Sequence, residues 1–308
     1  MIRRPFEPPN FRCRVKDWHG DESDLLMRGD SEASVRQRLE QKSYQVVSVE
    51  PYDFREWLDR AEAETRKVIE CGGGPDYQYR SDIWGDLKQY LFELFEGKCA
   101  YFEGRVLHIA SGDVEHYRPK KKVTECPSHP GYYWLADEAR NLLPCCEKCN
   151  RHRAKMNHFP VRGDLWAHRH DEMDCEKPLL LCPYDHDPRE HLRFLPSRQT
   201  PGSPDLVLSI VQGATEEGRK SVEIYKLNRP DLASERGLAQ KKIRQELMTA
   251  MLSPGTRRAV WDRLFSGREE YSSAALAEAE ALLAELKEEY EQEKTRERVS
   301  VRVAGGAR

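Results

Sequence analysis

The chain has 308 residues, of which 33% are charged and 38% hydrophobic, and its formal net charge is -3. The length points to two or more modules, and the composition is polar but sufficient for compact domains. No run approaches the roughly 20 apolar residues that span a bilayer, and the acidic balance argues against a freely acting, dedicated nucleic-acid binder.

The opening stretch, MIRRPFEPPNF, has two arginines but no apolar core, so it does not read as a secretory signal. The expected compartment is the cytoplasm. In that setting nine cysteines read as thiols or metal ligands rather than disulfides.

Residues 1–52 form the first expected module. FRCRVKDW alternates as a strand does, HGDES is turn chemistry, and DLLMRGD returns. Ser31 starts a helix carrying Val35 and Leu39, and YQVVSVE is a third strand. The expected result is a small β-β-α-β module that packs or docks. Residues 53–97 read as a helical lead-in. Phe54, Trp57, Leu58, Ala61 and Val68 share one helix face, which CGGGPD ends. A second helix follows in SDIWGDLKQYLFELFEG, with Ser81 as N-cap and Gly97 as C-cap candidates. Its apolar stripe of Ile83, Trp84, Leu87, Leu91, Leu94 and Phe95 is read as core.

Residues 98–170 change character. This window has about five more Lys and Arg than Asp and Glu, and most of the cysteines and histidines. Residues 171–308 read as mixed and then helical: DLVLSIVQG suggests a hairpin strand, and the tail from about Ser234 reads as helix. SSAALAEAEALLAELKEEYEQEK is an amphipathic, solvated helix, and the final VSVRVAGGAR reads as loose.

Three stretches carry chemistry. In SGDVEHYRPKKK, His116 can take a proton near neutral pH, and carboxylates at Asp113 and Glu115 can hold a hard divalent cation. Arg118, Lys120, Lys121 and Lys122 suit phosphates. In an extended strand Glu115 and His116 point to opposite faces, so only a bent strand end brings them to one substrate. In NLLPCCEKCN, Asn141 can clamp a loop by bonding backbone on both sides, and the Asn150 amide oxygen can ligate a metal. Cys146 and Cys149 are half of a tetrahedral zinc site. The RHRAK that follows is a basic start suited to a phosphate backbone. In KCAYFEG, Cys99 lacks its partner, because Phe102 stands where a second thiolate belongs.

The order Cys, then Asp-Val-Glu-His, then Asn-Leu-Leu-x-x-Cys-x-x-Cys-Asn resembles the HNH endonucleases, which have the ββα-metal fold. More narrowly, GKCAYFEG, DVEHYRPK, GYYWLADEARNLLPCCEKCNRHR, HFPVRGD, EKPLLLCPYDHDPREHLRF and EIYKLNRPDLASER resemble the HNH subunits of Septu antiphage systems and retron-associated HNH endonucleases. The likeness covers about residues 80–237.

The resemblance implies an α+β chain with an HNH core at 98–170. It implies that His116 is the general base, Asn141 orients the base-bearing loop, and Asn150 ligates a metal. Glu115 is implied as the second ligand for Mg²⁺ or Mn²⁺. Arg153 stands where the family often has Lys, keeping a phosphate-binding charge beside Arg151. The implied partners are DNA and an ABC- or SMC-like ATPase.

Many relatives pin this unit with a zinc on two Cys-x-x-Cys pairs. Here three readings stay open. Cys99, Cys146 and Cys149 take a fourth ligand from Cys126, Cys145 or His129; or Phe102 packs a small apolar core in place of zinc; or the site loads weakly. The balance leans against a full four-ligand site, and Cys145 is a poorer ligand than Cys146, since one of the doublet points away in an extended segment. The competing functional reading is an HNH-fold binding or assembly module that has lost catalysis.

Overall fold

The protein is described here by a computed structural model covering residues 4–107, 111–151, 154–195, 198–200, 203–250 and 254–305. It divides into two compact units. One joins Met1–His191 with Gly213–Leu227, and the other joins Leu192–Gln212 with Asn228–Arg308. Residues 171–191 therefore belong with the first unit.

The N-terminal module has the expected β-β-α-β order: β1 (Phe11–Lys16), β2 (Glu22–Met27), α1 (Glu32–Gln41) and β3 (Gln45–Pro51). The sheet order is β2-β1-β3, with antiparallel pairing throughout. Alternation along β1 buries Cys13 and Val15, which meet Leu25, Met27 and Val49 beneath Val35 and Leu39 of α1. Ser31 is the N-cap, and its side chain accepts from the Ser34 amide at 3.2 Å.

Helix α2 (Arg55–Glu70) buries Trp57, Ala61 and Val68 as the spacing predicts. It also buries the charged Glu64, whereas Leu58 is exposed. The second predicted helix is broken in two, α3 (Ser81–Gly85) and α4 (Lys88–Leu94). Gly85 sits at the break, where a residue without a side chain favours helix least, and Ser81 is the first helical residue rather than the cap. At the far end Glu96, not Gly97, takes the first left-handed position (φ 57°). The Gly97 amide bonds Phe92 O and the Glu96 amide bonds Glu93 O, the paired closure of a Schellman motif.

Next come β4 (Asp113–His116), β5 (Leu142–Cys145) and the single-turn helix α5 (Glu147–Asn150). The two strands are antiparallel, with Glu115 opposite Leu143 and His116 opposite Leu142. The segment after residue 178 braces them: Tyr184 Oη donates to Leu142 O at 2.5 Å, and Tyr225 Oη donates to Leu181 O at 3.0 Å. One-turn α6 (Pro188–His191) and α7 (Glu216–Ile224) complete this unit.

In the second unit a hairpin of Arg198–Thr200 and Ser203–Leu208 accompanies α8 (Pro230–Ala250), α9 (Pro254–Ser266) and α10 (Ser272–Gly305). Ile243, Leu247, Val260, Leu264, Leu276 and Leu282 form its core. The tail read as loose from Val299 continues α10 through Gly305, since no proline interrupts it before the glycine pair 305–306. Helix α9 went unrecognised in the sequence. The fold class is α+β, as expected. Among the described residues no helix is long and apolar enough to cross a membrane.

Candidate active site and thiol cluster

The end of β4, the loop after it and the end of α5 enclose a cleft of about 270 Å³. Glu115, His116, Lys120, Lys121, Asn150 and Arg151 line it together. The strand-alternation obstacle is met because His116 is the last residue of β4, where the chain turns away.

His116 is buried, and its ring is held from three sides. Nε2 lies 2.9 Å from the Ala136 carbonyl, which can only accept, so Nε2 carries the proton and Nδ1 keeps the lone pair. Lys120 Nζ sits 3.1 Å from that Nδ1. The Trp84 ring meets the imidazole edge to face at 5.1 Å. Burial holds His116 well below the ordinary imidazole pKa, and the ammonium of Lys120 pushes the same way. Neutral imidazole is therefore the resting form at neutral pH.

Glu115 is almost fully enclosed. Its Oε1 stands 2.9 Å from the ammonium of Lys155, whose side chain is completely buried. Lys155 Nζ also donates to His116 O at 3.0 Å. Burial raises the Glu115 pKa, and Lys155 opposes that shift. Asn141 lies outside the cleft wall. Its Oδ1 accepts from the Arg118 amide at 2.7 Å, while Nδ2 donates to Arg118 O at 3.0 Å and Leu135 O at 2.9 Å. One side chain thus ties the loop after His116 to the turn before β5.

Asn150 Nδ2 donates to Asp113 Oδ2 at 3.1 Å, which leaves Oδ1 to offer the cleft. Asp113 also receives Arg151 through both carboxylate oxygens, at 3.0 and 3.1 Å. Asp113, unassigned from sequence, thus fixes Asn150 and Arg151. Glu115 and Asn150 line one cleft with oxygens of the hard type that could hold Mg²⁺ or Mn²⁺.

The cations read as phosphate contacts separate, and Lys122 is not among the residues lining the cleft. Lys120, Lys121 and Arg151 line the cleft. Arg118 turns inward, donating to the fully buried Glu176 at 2.8 Å and lying over the Phe159 ring at 5.3 Å, so it does not face the cleft. Arg153 lies outside the described residues. Sequence reasoning missed Lys155, which it read only as part of a basic run, and Trp84, which it read as core. A buried lysine and a ring-to-ring contact leave no periodic signal to find.

Behind the cleft, the sulfurs of Cys99, Cys146 and Cys149 all lie within 4.8 Å of one another. A metal ion could bind there. A fourth thiol is present: Cys145 Sγ is 3.9 Å from Cys99 Sγ and interacts with Cys149 as well. Tetrahedral Zn–S bonds of about 2.3 Å put sulfurs roughly 3.8 Å apart. Of the three fourth ligands considered, Cys145 comes nearest, beside Cys99 and Cys149, but its sulfur is outside the group of three that lie within 4.8 Å of one another. His129 instead bonds Ala167 O at 2.9 Å, and Cys126 lies beside Ser128. Burial pushes the Cys145 thiol up, and its neighbours push Cys149 up, so binding a metal there must expel protons.

No family model matches the chain, and no solved structure matches it. Among curated proteins it is similar to the Septu protein PtuB of Bacillus mycoides (strain KBAB4), 35% identical over 162 residues, which is 51% of this chain and 52% of that protein. It is also similar to the Septu protein PtuA of the same strain, 30% identical over 149 residues, which is 46% of this chain and 19% of that protein. The chain thus spans about half the length of the first of these Septu relatives and a fifth of the second.

Proposed function

We propose that this protein is a metal-dependent HNH endonuclease that hydrolyses DNA phosphodiester bonds within a Septu-like antiphage system. The observation that carries this reading is the shared cleft of Glu115, His116 and Asn150, with the proton on His116 Nε2 and the lone pair on Nδ1. The likeness to Septu proteins supports the defence setting.

Glu115 and Asn150 would hold Mg²⁺ or Mn²⁺, which, when bound, supplies positive charge for the phosphate oxygens. His116 Nδ1 takes one proton from water, and the water oxygen attacks phosphorus. The P–O3′ bond breaks with its electron pair going to O3′, which takes a proton from solvent water, leaving 5′-phosphate and 3′-hydroxyl ends. Ala136 O holds the ring, Asn141 holds the loop, and Lys121 and Arg151 meet the backbone, which carries no sequence information. Cys99, Cys146 and Cys149 would hold a structural zinc, an ion suited to soft thiolates, with Cys145 the nearest further thiol. DNA affinity and control would come partly from an ABC- or SMC-like ATPase partner.

The test is cleavage of supercoiled plasmid with Mg²⁺ or Mn²⁺, with and without such a partner, comparing wild type with His116→Ala. The expected loss is at least about 100-fold, the usual size of a general-base contribution. Equal activity in the two proteins overturns the role of His116. DNA binding without cleavage under every condition favours the binding-module reading, which the Lys155 ammonium already seated on Glu115 also favours.

A further inference from the structure

Lys120 stands in an unusual position for a phosphate-binding cation. Its Nζ lies 3.1 Å from the Nδ1 that would deprotonate water. An ammonium has donors only, so it occupies that lone pair as a water would. Otherwise it faces aromatic rings, 4.6 Å above Trp84 and 5.9 Å from Tyr79. Among the described residues no carboxylate forms an ion pair with it, in contrast to Lys155 and Arg118.

The backbone beneath Lys120 is fixed. Tyr79 Oη donates to Lys120 O at 3.0 Å. Gly131, at φ +90°, packs so tightly that a Cβ there would come within 2.6 Å of the carbonyl of Lys120. Only the four-carbon stem is left to move. A cation in no close ion pair, with Glu115 and Asp137 only as more distant charges, on a fixed root beside a polar cleft, moves toward an anion that enters.

We propose that Lys120 is a substrate-released latch: its ammonium caps His116 Nδ1 in the free protein, and a DNA phosphate next to the scissile one draws it off and frees the base. This rests on the nuclease reading above. The latch makes proton removal conditional on a polyanionic backbone. A diester without neighbouring phosphates meets a capped base, whereas DNA uncaps the base as it binds.

The experiment uses the full chain and a Lys120→Met variant. Two substrates are compared, plasmid DNA and bis(4-nitrophenyl) phosphate, which has a single phosphate. The ¹⁵N resonance of His116 Nδ1 is followed in parallel, with and without tetrathymidylate. Lys120→Met is expected to raise turnover of the small diester several-fold and to lower kcat/KM for DNA about tenfold, chiefly through KM, as loss of one charge-assisted phosphate contact would. The Nδ1 resonance is expected to move in the variant, and to move likewise when tetrathymidylate is added to wild type. Parallel loss on both substrates, or an Nδ1 resonance unmoved by the substitution, overturns the latch. If wild type cleaves neither substrate while tetrathymidylate still shifts Nδ1, the latch stands as a binding-coupled contact and the nuclease reading fails.

Discussion

The cleft and the thiol cluster both draw on one ten-residue stretch, Asn141–Asn150, yet they solve opposite problems. In the cleft the polar groups are charged or basic, and each is matched: Glu115 with Lys155, Asp113 with Arg151, His116 with Ala136 O and Lys120. Burial of Glu115 there works because its charge meets that of Lys155. The cluster gathers three thiols, Cys99, Cys146 and Cys149, with Cys145 close by; all but Cys146 are buried. Thiols are cheap to bury when neutral and become ligands only on losing protons. The difference teaches that the cleft is held by the chain's own electrostatics, whereas the cluster offers neutral thiols that could become ligands for a metal.

The sharpest way to break this contrast is to remove one charge from the cleft. Lys155→Met leaves Glu115 buried without its cation, and the expected cost is about 3–5 kcal/mol in urea unfolding. Adding Glu115→Gln should recover a large part of it; a double variant as unstable as the single one would mean that Lys155 acts through packing alone.

The cluster should respond to metal rather than to charge. Cys145→Ser is expected to lower bound zinc from about one per chain and cost roughly 2–4 kcal/mol, comparable to losing a covalent staple. Cys126→Ser should change neither metal content nor Tm. Equal loss in both, or no zinc in the wild type by metal analysis, separates the cluster from metal altogether.

The smallest effect concerns pH. Asp137 is buried, its pKa pushed up to about 7 by burial and then by Glu64 of α2. The unfolded carboxyl titrates near 3.8, so between pH 4 and 7 the folded state holds the proton that the unfolded state has lost. Stability contributed at this site therefore falls as pH rises through that window and levels off above it. Asp137→Asn should raise Tm at pH 8 with little change at pH 4, flattening the slope. A slope unchanged by the substitution would place the titration elsewhere.

Much of the site was legible because it is local. Glu115 and His116 are adjacent, and Asn141 through Asn150 is one short run whose asparagines and cysteines have distinctive chemistry. What escaped notice was long-range. Lys155 reaches Glu115 across 40 positions, and Trp84 reaches His116 across 32. Cys145 was ranked below Cys146 on strand alternation, yet its sulfur turns back on Cys99, across 46 positions. Arg118 sits in a basic run but answers to Glu176, which no local pattern links to it.

By itself the sequence determined the α+β class, the β-β-α-β module and which residue types gather around His116, since these follow from alternation, helical spacing and side-chain chemistry. Only the tertiary structure decided the tautomer of His116, the inward turn of Arg118, the approach of Cys145 to Cys99 and the contact of Lys120 with the His116 ring. Each of those depends on which carbonyl, carboxylate or ring a distant segment brings within about 3–5 Å, and hydrogen bonds and ion pairs fall off too steeply with distance for spacing along the chain to reveal them.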